Sequence, residues 1–300
     1  MPPPLFFSPE VADAIERRQP LVALESTVIA HGLPRPHNLN LAQRMEELVR
    51  ECGATPATIA ILNGQIKVGL TPDELNYLAN ADGVVKVSRR DFPIVATRKQ
   101  DGATTVAGTM IVAAWAGIKV FATGGIGGVH HGDGSDISAD LPELSRTSVA
   151  VVCAGVKSIL DLPATLEWLE TAGVPVIGYQ TDEFPAFYSR TSGLKLEARA
   201  DSASEAAQMI KTKWQMGLEG GVLIVNPIPE KESLDRKKID KAIAKALSAA
   251  KTKGIRGKAV TPFLLSDLSK ATHGESLKAN IALLENNAKV AARIAVEMNT

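Results

Sequence analysis

Cysteine is nearly absent from this chain: among 300 residues only Cys52 and Cys153 occur. Two thiols in helical and apolar contexts support neither a disulfide framework nor a thiolate metal site. Buried reduced thiols suit a reducing compartment, here read as the cytoplasm. Net charge is absent too. Lys plus Arg and Asp plus Glu both number 33, so no overall field draws nucleic acid or an anionic membrane, and any anion site has to be local. The longest apolar stretch, residues 110–118, is too short to span a bilayer. The start, MPPPLFFSPEVADAIERR, has neither the basic opening nor the apolar run of a signal peptide. Repeats, low-complexity tracts, a dividing linker and a Cys/His zinc pattern are also missing. What remains is ordinary core material, 45% hydrophobic and 22% charged, as in a globular protein.

Strand and helix signals alternate along the chain. Ser8-Pro9-Glu10 opens a helix to about residue 18. Residues 20–25, PLVALE, read as a buried strand ending in Glu25-Ser26-Thr27. Asn38 is expected to cap the helix LNLAQRMEELVRECG, with Gly53 as its stop. Asn63-Gly64 between residues 58–62 and 65–70 signals a hairpin, and Thr71-Pro72-Asp73-Glu74 caps the next helix. Further strands are expected at 84–87, 119–123, 148–156, 174–179 and 221–225. Helices are expected at 102–115, 163–173, 203–216, 233–253 and 275–298, with a short one from Thr261-Pro262. This alternation, broken by one hairpin, predicts a single α/β domain over residues 1–300. It is a three-layer α/β/α sandwich around a mixed, largely parallel sheet.

Candidate chemistry gathers at strand ends, where ligands of open α/β sheets bind. The strand at 119–123 runs into Gly124-Gly125-Ile126-Gly127-Gly128 and then His130-His131. No helix with a ribose-binding acid follows, so this is not a dinucleotide fingerprint. It reads as a loop whose amides face a phosphate or sugar, with one histidine turned to the site. Asp136 and Asp140 in DISAD are either a solvated turn or ligands for a hard cation such as Mg²⁺ or Mn²⁺. Lys157 leaves VAVVCAGV beside core, and partial desolvation favours the neutral amine that Schiff-base chemistry requires. Glu25, with His31 and Arg35 in the following Gly/Pro-rich loop, is either a solvated strand end or part of a substrate loop. Lys86, Arg89 and Arg90 form either an exposed basic turn or a phosphate site. The small residues of GATTVAGT serve close packing or a phosphate at a helix N-terminus. The loop at 181–188 is aromatic enough to close over a planar ring or to cover core. Together these residues imply an enzyme acting on a small phosphorylated substrate with an acid and an amine.

The blocks ALESTVIAHGLP, KVSRRD, GATTVAGTM, KVFATGGIGGVHHG, DISADL, VVCAGVKSILDLP, GVPVIGYQTDEFPAF, NPIPE, GKAVTPFLL and SLKANIALLENNA run in order from Ala23 to Ala288. In these the chain resembles the pseudouridine-5′-phosphate glycosidases, which include the indigoidine synthase A-like proteins. One departure lies at His130-His131, where the family pattern has His-Arg and a longer loop, and it bears on phosphate contacts there. The resemblance implies reversible cleavage of pseudouridine 5′-phosphate to uracil and ribose 5-phosphate, a Mn²⁺ ion (or Mg²⁺), an α/β/α fold and a homotrimer. It implies Glu25 as proton donor, Lys157 as covalent nucleophile and Asp136 as metal ligand. Lys86, Val106, Ser138, Ala139 and Asp140 are implied to contact substrate, with Thr123, His130 and Asn280 in the same pocket. A Schiff-base lyase acting on another phosphorylated sugar or nucleotide, and a non-catalytic phosphosugar sensor, are the competing readings.

Overall fold

The computed structural model describes residues 3–132, 134–255 and 260–300. Its strands are β1 (Leu5–Phe7), β2 (Leu21–Glu25), β3 (Thr55–Leu62), β4 (Gln65–Val68), β5 (Val85–Val87), β6 (Gly102–Thr104), β7 (Val120–Ala122), β8 (Ala150–Cys153), β9 (Val176–Tyr179), β10 (Ala198–Ala200) and β11 (Val222–Val225). The helices are α1 (Pro9–Glu16), α2 (His37–Glu51), α3 (Pro72–Asn80), α4 (Phe92–Thr97), α5 (Val106–Trp115), α6 (Asp140–Arg146), α7 (Leu162–Thr171), α8 (Ala203–Gln215), α9 (Arg236–Thr252), α10 (Val260–Ala271) and α11 (Glu275–Asn299). The helix expected from Thr261-Pro262 falls within α10, while Gly257, Lys258 and Ala259 of the GKAVTPFLL block lie outside the described residues.

One sheet carries the order β1-β4-β3-β2-β7-β8-β11-β9-β10, with β6 paired to β3 and β5 to β6. All pairings are parallel except β3 with β4 and β3 with β6. The inner strands β2, β7, β8 and β11 are apolar, apart from Glu25 at the end of β2, and almost wholly buried, as strands covered on both faces must be. Helices α2, α8 and α11 cover one face and α5, α6 and α7 the other, giving the three-layer architecture. The β3–β4 hairpin turns on Asn63 and Gly64, both at positive φ (49° and 75°). That is the two-residue turn whose twist matches the strands.

Two local expectations give way to tertiary contacts, and two strands appear that had no local signal. The stretch expected to be helical from residue 102 begins as strand β6, because Gly102 lies where a Cβ would meet Val87 Cγ2 at 2.6 Å and pairs edge-on with β3 and β5. Asn38 does not cap α2. Its side-chain amide is buried and donates to the carbonyls of Ile29 (3.0 Å) and Ala79 (2.8 Å), tying three segments together. Strands β1 and β10, three residues each, carry too little pattern to be read locally and exist by pairing with β4 and β9. No helix of the described residues is long and apolar enough to cross a membrane.

Candidate active site

From β2 the chain passes through α2 to β3 on one side, and from β7 through α6 to β8 on the other. The direction of winding therefore reverses between β2 and β7, which is where open α/β sheets leave a crevice at their strand ends. Leu24 is aligned with Ala122 across this junction, so the next residues, Glu25 and Thr123, are neighbours. The Thr123 hydroxyl donates to Glu25 Oε1. Thr123 is fully buried and stands behind Glu25 rather than on the cavity wall.

The turn after Glu25 is anchored by hydroxyls. Ser26 Oγ donates to Ile59 O (2.6 Å) and accepts from Thr104 N (2.9 Å), while Thr27 Oγ1 donates to Thr104 O (2.8 Å). The Ser and Thr of the ALEST block thus fix the strand end that presents the acid. Glu25 itself is 7% exposed. Burial pushes its carboxyl above the ordinary carboxylate range, opposed by the charge of Lys157 and the Thr123 hydrogen bond, while Asp140 adds to the rise and Lys86 opposes it. The result is an acid that holds its proton more readily than a solvated glutamate.

Lys157 follows an isolated parallel bridge between Ile126 and Val156, and its N–H donates to Ile126 O at 3.0 Å. It is half-buried and shares with Glu25 a small chamber of ≈60 Å³. Val28, Ile159, Phe187, Leu264, Leu268 and Leu284 give this chamber apolar walls, and Asn280 of α11 supplies an amide. Lys86 also lines it. Through Glu25, Lys86 and Lys157 the chamber meets an open cleft of ≈570 Å³, where Val106, His130, Asp136, Ser138, Ala139 and Asp140 lie. All the predicted site residues but Thr123 therefore line one connected cavity system. Arg89 and Arg90 stand at the cleft as well. Arg89 is committed to the nearly buried Glu143 by two bonds (2.8 and 2.7 Å), and Arg90 is a solvated rim residue. Arg35, from the loop after Glu25, is likewise structural, bound to Ala79 O, Ala81 O and Asp82.

Two amides of the glycine run, and two just beyond it, are taken by protein acceptors. The N–H groups of Ile126, Gly127, Val129 and His130 donate to Gly155 O, Asp140 Oδ2, Thr165 Oγ1 and Asp136 O. Glycine is needed at 127 because a Cβ would collide with Ser138 and lie 2.8 Å from Asp140 Oδ2. Asp140, 5% exposed, uses its other oxygen to accept from Ala107 N at 2.9 Å in the first turn of α5. Gly108 N donates to Thr105 Oγ1, so these two N-terminal amides of α5 are occupied by protein. Asp140 is thus a clamp between the glycine loop and α5. The two histidines diverge as expected: His130 lines the cleft, while His131 is exposed with Nδ1 3.5 Å from Asp161.

No three His, Cys, Asp or Glu side chains come together as a metal cage among the described residues. A closed zinc-type site does not fit. Asp136 is an exposed carboxylate on the cleft wall, and one such ligand suits Mg²⁺ or Mn²⁺, hard ions that retain water.

Sequence reasoning gave no role to one feature. Asn287 Nδ2 donates to Thr123 O (2.8 Å) and its Oδ1 accepts from Asn226 (3.0 Å), tying α11 to the ends of β7 and β11. Its asparagine identity at a core-facing position of α11 was the available signal. The aromatic loop covers core: Phe184, Phe187 and Tyr188 are buried, with Phe187 and Tyr188 also reaching the chamber.

Fold and cavity together define an α/β protein of the doubly wound kind, with a buried acid and a lysine facing one chamber at the switch point. The chain belongs to the indigoidine synthase A-like protein family, which matches residues 10–297. It is 59% identical over 294 residues to the pseudouridine-5′-phosphate glycosidase of Caldanaerobacter subterraneus subsp. tengcongensis, covering 97% of this chain and 96% of that protein. The crystal structure of an indigoidine synthase A-like protein from Thermotoga maritima superposes with a TM-score of 0.90 at 38% identity, over 99% of this chain and 97% of the other. The prealnumycin C-glycosynthase AlnA, solved in complex with ribulose 5-phosphate, superposes with a TM-score of 0.91 at 41% identity, over 100% and 98%.

Proposed function

We propose that this chain reversibly cleaves the C–C glycosidic bond of pseudouridine 5′-phosphate to uracil and ribose 5-phosphate through a lysine imine. The observation that carries the reading is the shared chamber: Glu25, whose burial favours its protonated form, and Lys157 line the same apolar-walled space, open on one side to a polar cleft. The 59% identical relative named for this activity supports the substrate, and the AlnA complex supports a pentose phosphate in the cleft.

The bond to be broken joins ribose C1′ to a ring carbon, so the base cannot leave as a stabilised nitrogen anion. A pair of carboxylates working through an oxocarbenium ion would face a poor carbon leaving group. A lysine removes the difficulty. Glu25 protonates the ribose ring oxygen while the uracil nitrogen lone pair pushes the ring open. Lys157 adds to the electrophilic C1′, and the proton released by its nitrogen returns to Glu25. Glu25 then delivers that proton to the uracil carbon, and the amine lone pair expels uracil, leaving an imine that water hydrolyses.

Asn280 and the leucine walls suit the base, and Lys86, Val106, His130, Ser138 and Ala139 suit the phosphopentose. Asp140 acts on this set as a clamp. A divalent ion, Mn²⁺ or Mg²⁺, would be held by Asp136, water and substrate; when bound it offsets the phosphate charge. The free thiols of Cys52 and Cys153 support a cytoplasmic setting, and the family resemblance supports a homotrimer. The AlnA likeness keeps a Schiff-base reaction on a different acceptor as the second reading.

Incubation with pseudouridine 5′-phosphate and Mn²⁺ followed by borohydride should leave a ribosyl adduct on Lys157, mapped by mass spectrometry. An adduct on another lysine, or undiminished uracil release by Lys157→Ala, sinks the scheme.

A further inference from the structure

His31 has no part in that scheme, yet its position calls for one. It lies in the π-type turn Val28–Gly32 directly after the acid. It lines both the chamber of Glu25 and Lys157 and a second cavity of ≈340 Å³ that opens beyond Tyr188 and Asn280. Its Nε2 is buried and has no hydrogen-bond partner among the described residues. Buried polar atoms are nearly always paired, so an unpaired one on a cavity wall points to a ligand. The other such atom, Glu183 Oε2, lines none of these cavities.

The tautomer follows from the surroundings. Burial and then the charge of Lys86 push the imidazole below its ordinary value, partly opposed by a hydrogen bond to the Val84 backbone. A neutral imidazole has one donor and one acceptor nitrogen. Nε2 has no partner among the described residues, so the backbone bond falls to the other nitrogen as donor and leaves the lone pair on Nε2, in a side chain on the wall of the chamber and of the second cavity.

We infer that His31 Nε2 accepts the N1–H of the base and takes its proton while the ribose ring opens. This rests on the pseudouridine 5′-phosphate reading and completes its electron count. As the C1′–O4′ bond breaks and O4′ takes the Glu25 proton, the N1 lone pair forms N1=C6 and the C5=C6 pair forms C5=C1′. N1 is then strongly acidic, and its proton passes to His31, leaving a neutral conjugated base and an imidazolium. Addition of Lys157 to C1′ sends an electron pair back to N1, which recovers the proton from His31. The histidine ends as it began. A base linked to ribose through N1 has no proton there, so the same contact selects the carbon-linked nucleotide.

The test compares pseudouridine 5′-phosphate with its N1-methyl analogue in wild type, His31→Ala and His31→Gln. His31→Ala should lower kcat on the natural substrate by about 10²-fold or more, and by less than about threefold on the analogue, which has no N1 proton to give. Equal losses on both substrates overturn the inference. His31→Gln offers an oxygen that accepts a hydrogen bond but no base, so KM should approach the wild-type value while kcat stays low. A wild-type kcat in that variant overturns the proton transfer. Borohydride trapping of ribose 5-phosphate on Lys157 in each variant shows whether the sugar side is intact, which separates lost chemistry from lost fold. Absence of uracil release by the wild type defeats the substrate reading itself, a different result from equal losses across the two substrates.

Discussion

Glu25 is a carboxyl group with almost no water around it, a hydroxyl against one oxygen and a lysine across the chamber. Its raised pKa makes stability and activity depend on pH in calculable directions. A carboxyl whose folded value lies above its unfolded 4.5 adds stability that is fully present below 4.5 and lost as pH rises through the folded value. Glu25→Gln is neutral throughout, so it should gain in melting temperature relative to wild type between about pH 4 and about pH 8, as scanning calorimetry across that range would show. Its uracil release should nonetheless fall about 10²-fold or more, the usual loss on removing a general acid. The Thr123 hydroxyl favours the ionised form of Glu25. Thr123→Val should therefore raise the Glu25 pKa further and move the alkaline limb of the kcat/KM profile to higher pH; an unmoved limb would show that the limb belongs to another group. Glu25 and Lys157 were legible as candidates because each leaves an apolar strand beside loop chemistry. The meaning of Thr123 was not, since its partnership with Glu25 exists only once β2 and β7 are paired in register.

At the scale of elements, the glycine loop, α5 and α6 are bound into one unit by Asp140. Its two oxygens accept from Gly127 N and Ala107 N, groups on different segments that would otherwise be buried without partners. Asp140→Asn keeps the volume but turns an amide donor toward a backbone donor. It should cost about 3 kcal/mol in urea unfolding, the scale for leaving buried groups unsatisfied next to a lost charge. The reading of the loop as an anion cradle came from glycine content alone. Glycine also serves close approach, and only the packing of Ser138 and Asp140 against residue 127 separates the two uses. Arg89 teaches the same point. It stands in a basic triplet that suits phosphate, yet its guanidinium is spent on Glu143, fifty-four residues away.

At the scale of the molecule, Asp136 stands apart from the clamp and from the core. It is exposed, so Asp136→Ala should leave stability within about 0.5 kcal/mol of wild type, as is usual for a surface change. Under the proposed metal role, the same variant should lose kcat/KM for the phosphorylated substrate, and EDTA should impose no further loss upon it, while wild type loses activity to EDTA and regains it with Mn²⁺. An EDTA effect as large in the variant as in wild type would remove Asp136 from that role. Sedimentation equilibrium of the purified chain should give the mass of a trimer. A monomer mass would withdraw that part of the proposal.

The amino-acid sequence by itself determined the order of the longer strands and helices, the three-layer class and the places where chemistry leaves the core. Those properties are written in local periodicity, in capping residues and in turn signals such as Asn63-Gly64, each readable within a few residues. The tertiary structure alone decided which strand ends meet. The reversal of winding between β2 and β7 sets Thr123 against Glu25, and the α11 helix, through Asn280 and Asn287, closes the chamber and braces the β7 end. It also set His31 on the wall of that chamber with its buried Nε2 left without a partner among the described residues. Contacts between residues so far apart in the chain, 98 positions for Thr123 and Glu25, have no local signature, because their energy depends on register and burial that arise only when the sheet has formed.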